Sequence, residues 1–187
     1  MSGGAAMTMA DNVIDTRVLG HLIGGREVLG GSRRAPVYNP ATGGVIAEVA
    51  IAGPDEVAQS VDAASEAARV WSNTPLGKRA AVMFRARELI VARSEELARL
   101  ITLEHGKTLP DALGEVARGL ENVEFCAGLG HHLKGEFAAE VAGGIDVHQL
   151  RQPLGVVACV TPFNFPAMVP LWMVTTAMAA GNAVVLK

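Results

Sequence analysis

The chain has 187 residues, of which 50% are hydrophobic and 19% charged, with a formal net charge of -3. This composition excludes a disordered or low-complexity polypeptide and leaves room for one domain with a core, alone or with an appendage. Mild acidity and an aromatic content of 4% give no basic, base-stacking surface for nucleic acid and no polybasic patch for an anionic membrane. Two cysteines, Cys126 and Cys159, cannot build a disulfide framework and lie in no CxxC spacing, so a reducing, cytoplasmic setting is expected.

Residues 1–16 lack the basic and apolar regions of a secretory signal and are expected to be a disordered tail, with Met7 or Met9 as alternative starts. Arg17–Val28 reads as a hairpin turning at Gly24-Gly25. Ser32–Pro40 continues extended, Asn39-Pro40 and Thr42-Gly43-Gly44 mark a turn, and Val45–Ile51 alternates as a strand. Four helices follow. Gly53-Pro54-Asp55 opens the first, with Val57, Val61, Ala64 and Ala68 as its inward stripe, ending near Trp71. Thr74-Pro75 opens the second, with Ala81, Phe84, Leu89 and Ile90 inward. Ser94 is the expected N-cap of the third, with Leu97, Leu100, Ile101 and Leu103 inward and a stop at Gly106. Leu109-Pro110-Asp111 opens the fourth, which runs to about Gly128 with Leu113, Val116, Leu120, Val123 and Phe125 inward; the charged residues of these helices read mostly as solvated outer faces.

Gly128–Gly144 reads as a glycine-rich connection and Ile145–Leu150 as a strand with no obvious local partner. From Gln152 to Leu186 there is no charged residue. Pro162, Pro166 and Pro170 break this run, and the unbroken helical part, Leu171–Ala180, is too short to span a bilayer. The run reads as strand (Gly155–Val160), Pro-rich corner (Thr161–Pro166), helix (about Met168–Ala180), Gly-Asn stop and strand (Ala183–Lys187). Strand, helix and strand in this order predict a right-handed βαβ unit, hence a parallel pair, with any ligand at the carboxyl ends of the strands. Thr161, Asn164 and Lys187 fall at those ends.

The sequence carries no P-loop, HExxH, GxSxG or Gly-rich dinucleotide fingerprint, and its five histidines form no ligand cluster, so no metal site is expected. Cys159, inside Val156–Val160, and Cys126, near a helix end, read as core packing. Asn164 stands between Phe163 and Phe165 and is boxed by Pro162 and Pro166. Two readings remain open on the residues alone: a turn residue capping the helix that begins near Pro166, or a rigid amide donor suited to a developing oxyanion. Lys187 is either a ligand contact or a strand-end charge in water.

Pro153–Met168 (PLGVVACVTPFNFPAM) followed by Leu171–Lys187 (LWMVTTAMAAGNAVVLK) resembles the aldehyde dehydrogenase superfamily, most closely its CoA-acylating, methylmalonate-semialdehyde dehydrogenase branch. Thr102–Val123 (TLEHGKTLPDALGEVARGLENV) and Tyr38–Val49 (YNPATGGVIAEV) resemble the same branch, as does Phe163 ahead of the Asn, where many hydrolytic relatives have Trp. The likeness covers nearly everything after about Val18. It implies an α/β fold: the N-terminal part of an aldehyde dehydrogenase, with an incomplete Rossmann-like parallel sheet, helices and an oligomerisation strand. Residues 17–144 would be the N-terminal strands and helical part of the NAD-binding domain, 145–152 the oligomerisation strand, and 153–187 the first, truncated βαβ unit.

The resemblance further implies that Asn164 is the oxyanion-hole amide, that Thr161 and Phe163 lie against NAD, and that Lys187 reaches the adenosine ribose. It implies that Arg118 holds a substrate carboxylate, although Arg118 also reads as an exposed helix arginine. The implied partners are a small semialdehyde (malonate or methylmalonate semialdehyde), CoA and, in the full-length family, further copies of the chain. The family's nucleophilic cysteine is expected beyond Lys187, and neither Cys126 nor Cys159 matches its motif. The chain alone is therefore expected to be catalytically incomplete and to expose apolar surface around Val156–Val160 and Ala183–Leu186. A non-catalytic nucleotide-binding and oligomerisation module, or a fragment of a hydrolytic aldehyde dehydrogenase, are the competing readings.

Overall fold

The structure, a computed structural model, describes residues 17–187; the tail expected over 1–16, with its alternative starts, lies outside the described residues. Residues 18–50 form two small sheets. In one, β1 (Val18–Leu19) runs parallel to β5 (Val45–Ala50), which pairs antiparallel with β4 (Arg34–Tyr38). In the other, β2 (His21–Ile23) and β3 (Arg26–Val28) form the expected hairpin, with His21 opposite Val28. Its turn puts Gly24 at φ 56° and Gly25 at φ 77°, the left-handed pair that a two-residue hairpin needs.

Four helices follow, α1 (Pro54–Trp71), α2 (Leu76–Ala92), α3 (Ser94–His105) and α4 (Leu109–Ala127), and a 3₁₀ turn over Leu129–His131. Their positions match the sequence; several of their buried faces do not. In α4 the buried stripe runs Ala112, Val116, Gly119, Val123 and Cys126, spaced by four and three residues, with Glu115 and Ala127 buried beside it. Leu113 and Phe125 are exposed, Phe125 stacking on His132. In α2 Arg79 and Met83 are buried, whereas Ala81, Phe84 and Leu89 are exposed and Ile90 is only half-buried. In α1 only Ala64 and Ala68 are buried, Val57 and Val61 being exposed; in α3 Leu97 is half-buried and Ala98 and Ile101 are buried, leaving Leu100 and Leu103 exposed. The physical reason is shared: close helix packing selects small residues on the facing stripe, so alanine and glycine go inward and larger apolar side chains flank them. At Gly119 a Cβ would lie 2.7 Å from Leu171 Cδ1 and 3.3 Å from Met168 Cα.

Ser94 is not the N-cap of α3. Arg93 occupies that position without a side-chain cap bond, its own N–H still bonded to the last carbonyls of α2, and its guanidinium bonds Glu96 at 2.6 and 2.8 Å. The one-residue joint between α2 and α3 makes Ser94 the first helical residue and denies its hydroxyl the capping geometry. Thr108 does cap α4, accepting from Asp111 N.

The strand over Ile145–His148 (β7) has a local partner, contrary to expectation. It pairs antiparallel with β6 (Phe137–Ala142), placing Phe137 opposite His148 and Ala142 opposite Ile145 across Gly143-Gly144. The glycine-rich composition around Gly128–Gly144 hid β6. All ten residues of the two strands are exposed.

The C-terminal run is the predicted strand, helix and strand. β8 (Val156–Cys159) and β9 (Ala183–Leu186) are parallel, with Val156 opposite Ala183 and Cys159 opposite Leu186, and α5 (Met168–Ala179) crosses between them. Ala183 packs with Ala64 and Ala68 of α1, and Val156 and Val185 lie against this cluster. The carboxyl end of α5 is held by side chains from α1 and α2: Trp71 Nε1 donates to Met178 O at 2.8 Å and the buried Arg79 to Ala179 O at 3.1 Å. A cation there also meets the negative end of the helix dipole. Asn182 fixes the strand entries, accepting from Leu154 N and Gly155 N at 2.7 and 3.0 Å while donating to Ala177 O at 3.1 Å. The apolar surface expected around the two strands is confined to their carboxyl ends, where Val160 and Leu186 are 66% and 50% exposed; Cys159 and Ala183 are buried, and Val156, Val157, Val184 and Val185 are half-buried.

Candidate functional site

The site is built where β8 and β9 end. Lys187 N donates to Cys159 O at 2.8 Å, and Thr161 N donates back to Lys187 O at 3.0 Å, extending the ladder one step past both strands. The Thr161 hydroxyl bonds the same carbonyl at 3.3 Å. Beyond Thr161, Pro162 and Pro166 restrict the backbone of the corner, and Phe163 projects almost wholly into solvent at 84% exposure. The Lys187 ammonium stands 5.8 Å from the centre of that ring. Three of the predicted residues, Thr161, Phe163 and Lys187, are thus brought together at one edge of the parallel pair.

Asn164 sits at the tip of the corner. It is exposed, and its side chain makes no hydrogen bond among the described residues, while its main-chain carbonyl accepts from Lys107 Nζ at 3.1 Å. Its reading as the cap of the following helix is corrected by the structure. Ala167 is the N-cap of α5, and the acceptor for the first N–H groups is the Glu115 carboxylate, whose Oε1 lies 2.8 Å from Ala167 N and 3.1 Å from Met168 N. An alanine at that position cannot cap itself, so a carboxylate from α4 does so.

Arg118 lies one turn further along α4, its Cζ 5.4 Å from the Phe165 ring centre and its Nε 3.4 Å from Gly114 O. Lys107 covers the same ring at 4.3 Å. Phe165 therefore carries two cations, which join the predicted substrate arginine to the residue next to Asn164. Trp172 Nε1 donates to Arg118 O at 3.3 Å, tying this part of α4 to α5.

Lys107 and Glu115 were missed in the sequence, where both read as solvated helix charges. Their ion pair is 2.5 Å, with side-chain exposures of 13% and 0%. Burial pushes the Glu115 carboxyl up, but the Lys107 ammonium and the Ala167 and Met168 N–H groups outweigh this and hold it below its ordinary value. The available signal was Glu115 between Ala112 and Val116 on the buried face of α4, eight residues after a lysine that follows a helix-ending glycine.

Both cysteines are buried and free. Burial pushes the Cys159 thiol up, and Cys126 Sγ lies 3.5 Å from the Thr175 and Thr176 hydroxyls and from Asn122 Nδ2. Neither has a nucleophile's setting. Among the described residues no three His, Cys, Asp or Glu side chains stand together as a metal site, and no helix is long and apolar enough to cross a membrane. A groove of about 400 Å³ adjoins the corner, lined by Phe163, Pro166 and Ala167 on one side and Leu97, Ile101 and His105 on the other. A larger cavity of about 650 Å³ between α1, β2 and β9 is mainly apolar, and its lining among the described residues holds no Asp, Glu, Lys or Arg.

The model of the aldehyde dehydrogenase family matches residues 28–187. The chain is 47% identical over 169 residues to malonate-semialdehyde dehydrogenase of Pseudomonas aeruginosa, an alignment that covers 90% of this chain and 34% of that protein. The structure superposes on methylmalonate-semialdehyde dehydrogenase from Oceanimonas doudoroffii with a TM-score of 0.90 and 48% identity, covering 92% of this chain and 35% of that one. It superposes with a TM-score of 0.89 and 43% identity on a Sinorhizobium meliloti protein assigned as methylmalonate-semialdehyde dehydrogenase and solved with NAD, covering 92% and 35%. The chain spans about a third of the length of these relatives.

Proposed function

This chain belongs to the aldehyde dehydrogenase family, and we propose that its corner forms the oxyanion and cofactor side of an NAD-dependent site oxidising malonate or methylmalonate semialdehyde, with CoA as acyl acceptor. One observation carries the reading: Asn164 presents a side-chain amide that makes no hydrogen bond among the described residues, on a held backbone, at the carboxyl end of a parallel strand pair. Two relatives of similar fold named for methylmalonate semialdehyde, one of them solved with NAD, support the substrate class and the cofactor.

The residues fit a dinucleotide by their chemistry. An ammonium (Lys187) and a hydroxyl (Thr161) suit ribose oxygens, and an exposed aromatic ring (Phe163) supplies an apolar wall beside them. Bound NAD supplies the two-electron acceptor. The remaining roles fall to the chain. Asn164 donates to the aldehyde oxygen as it becomes negative under attack by a thiolate, an interaction stronger in the transition state than in the ground state. Arg118 pairs with the substrate carboxylate, for which a guanidinium offers two parallel donors. Phe165, between Arg118 and Asn164, sets their separation. Both cysteines of the chain are buried, so in this reading the thiolate comes from outside these 187 residues. The free thiols suit a reducing compartment, and the exposed hairpin of β6 and β7 is the segment through which copies of the protein would associate.

Buried thiols and an exposed hairpin also favour a second reading, a nucleotide-binding and association module without chemistry of its own. Turnover separates the two. In an enzyme that combines residues 17–187 with that thiolate, Asn164→Ala is expected to lower kcat about 10²–10³-fold, followed as NADH absorbance with semialdehyde and CoA. Unchanged turnover would remove Asn164 from the chemistry. A free acid as product where an acyl-CoA is expected would replace CoA by water.

A further inference from the structure

We infer that Lys107 and Glu115 act as a positioning clamp for Asn164: one buried ion pair, between the residue before the cap of α4 and its second turn, grips the corner on both sides of Phe165 and leaves the Asn164 side chain available to a ligand. The clamp as a positioning device rests on the reading of Asn164 given above, while its existence as a mechanical element does not.

The carboxylate divides its two oxygens. Glu115 Oε1 takes the Ala167 and Met168 N–H groups at 2.8 and 3.1 Å, and Oε2 takes the Lys107 ammonium at 2.5 Å. The ammonium divides its donors likewise, between Glu115 and the Asn164 carbonyl at 3.1 Å, and it sits 4.3 Å from the Phe165 ring centre. Asn164, Phe165, Ala167 and Met168 are therefore all held by two side chains that are themselves nearly removed from water. A buried ion pair is a poor source of net stability, because desolvation offsets its Coulomb attraction, but its geometry is exacting. Every polar atom of the pair is directed at the corner or at its partner. That arrangement suits orientation, since the corner's main chain is fixed while the exposed Asn164 amide makes no hydrogen bond among the described residues.

The two halves of the clamp separate by mutation in this chain. Lys107→Met releases the Asn164 carbonyl and leaves Glu115 to cap α5. Lys107→Met combined with Glu115→Gln also removes the uncompensated charge while keeping an acceptor for Ala167 and Met168, and it serves where the single variant does not fold. NMR relaxation is expected to give an order parameter of about 0.85 for Asn164 in the parent chain, falling below about 0.6 in both variants, whereas the Ala167 and Met168 amides keep their hydrogen-exchange protection within about twofold. Lys107→Arg, which keeps the charge, is expected to restore the rigid value. An Asn164 order parameter that stays high without the lysine overturns the inference. So does loosening spread evenly through α3 and α4, which would mark a general loss of stability. If the clamp behaves as expected but Asn164→Ala leaves turnover intact, the reading of Asn164 falls and the mechanical clamp remains.

Discussion

The corner at Thr161–Met168 and the hairpin of β6 and β7 lie close in sequence and are held in opposite ways. The hairpin's described contacts are largely its own: its register comes from the Gly143-Gly144 turn, both strands are exposed along their whole length, and Glu140 and Asp146 bond the hairpin's own main chain. The corner makes little hydrogen bonding with itself and is held from about fifty residues away in the chain, through Glu115 of α4 and Lys107 just before it. A segment that folds on itself offers its surface to something else, whereas a segment fixed from behind can present one side chain in a defined direction. The first suits association and the second suits chemistry.

The largest effect expected from disturbing this difference is at Glu115. Glu115→Ala strands the Lys107 ammonium and the first N–H groups of α5, so denaturant titration is expected to give a loss of about 3–5 kcal/mol, the usual cost of breaking a buried pair from one side. A loss under about 1 kcal/mol would mean that the corner is held by its prolines alone. Acid is expected to have a smaller effect. The folded Glu115 carboxyl lies below its ordinary value of 4.5, so its contribution is complete above that value and is lost as pH falls through the folded one. The protection factors of the Ala167 and Met168 amides, taken against the intrinsic exchange rate at each pH, should therefore fall only below about pH 4.5, ahead of those in the core of α4. Protection factors that change between pH 6 and pH 8 would point to another group. The smallest effect belongs to the hairpin: Val147→Ser in a monomeric sample is expected to change stability by no more than about 0.5 kcal/mol. If the same substitution lowers the oligomeric state in light scattering, the hairpin's surface is the interface proposed for it.

The legibility of the sequence follows the same division. Gly24-Gly25, Pro54 and Gly106 announce turns and helix ends by local stereochemistry, and each structure lies where its residues place it. The strand, helix and strand at the C-terminus were legible because an uncharged run broken by prolines admits few other arrangements. β6 was not, since glycines flanked it and its strand residues are exposed rather than alternating. The helix faces were misread wherever packing preferred Ala or Gly to Leu or Phe, as at Gly119 against Leu171. At the corner, Thr161, Phe163, Asn164 and Lys187 could be named because polar residues stood out at apolar strand ends. Lys107 and Glu115 could not, because a charged residue looks the same in sequence whether it faces water or a partner from a distant segment.

The most direct measurement is a titration of this chain with NAD up to millimolar concentration, followed by the NMR resonances of the corner. Saturable shifts are expected at Thr161, Phe163 and Lys187 and at the Asn164 side-chain amide, with α2 and the β6–β7 hairpin unmoved. Shifts confined to other elements, or none that saturate at the corner, would contradict the placement of the cofactor at the ends of β8 and β9.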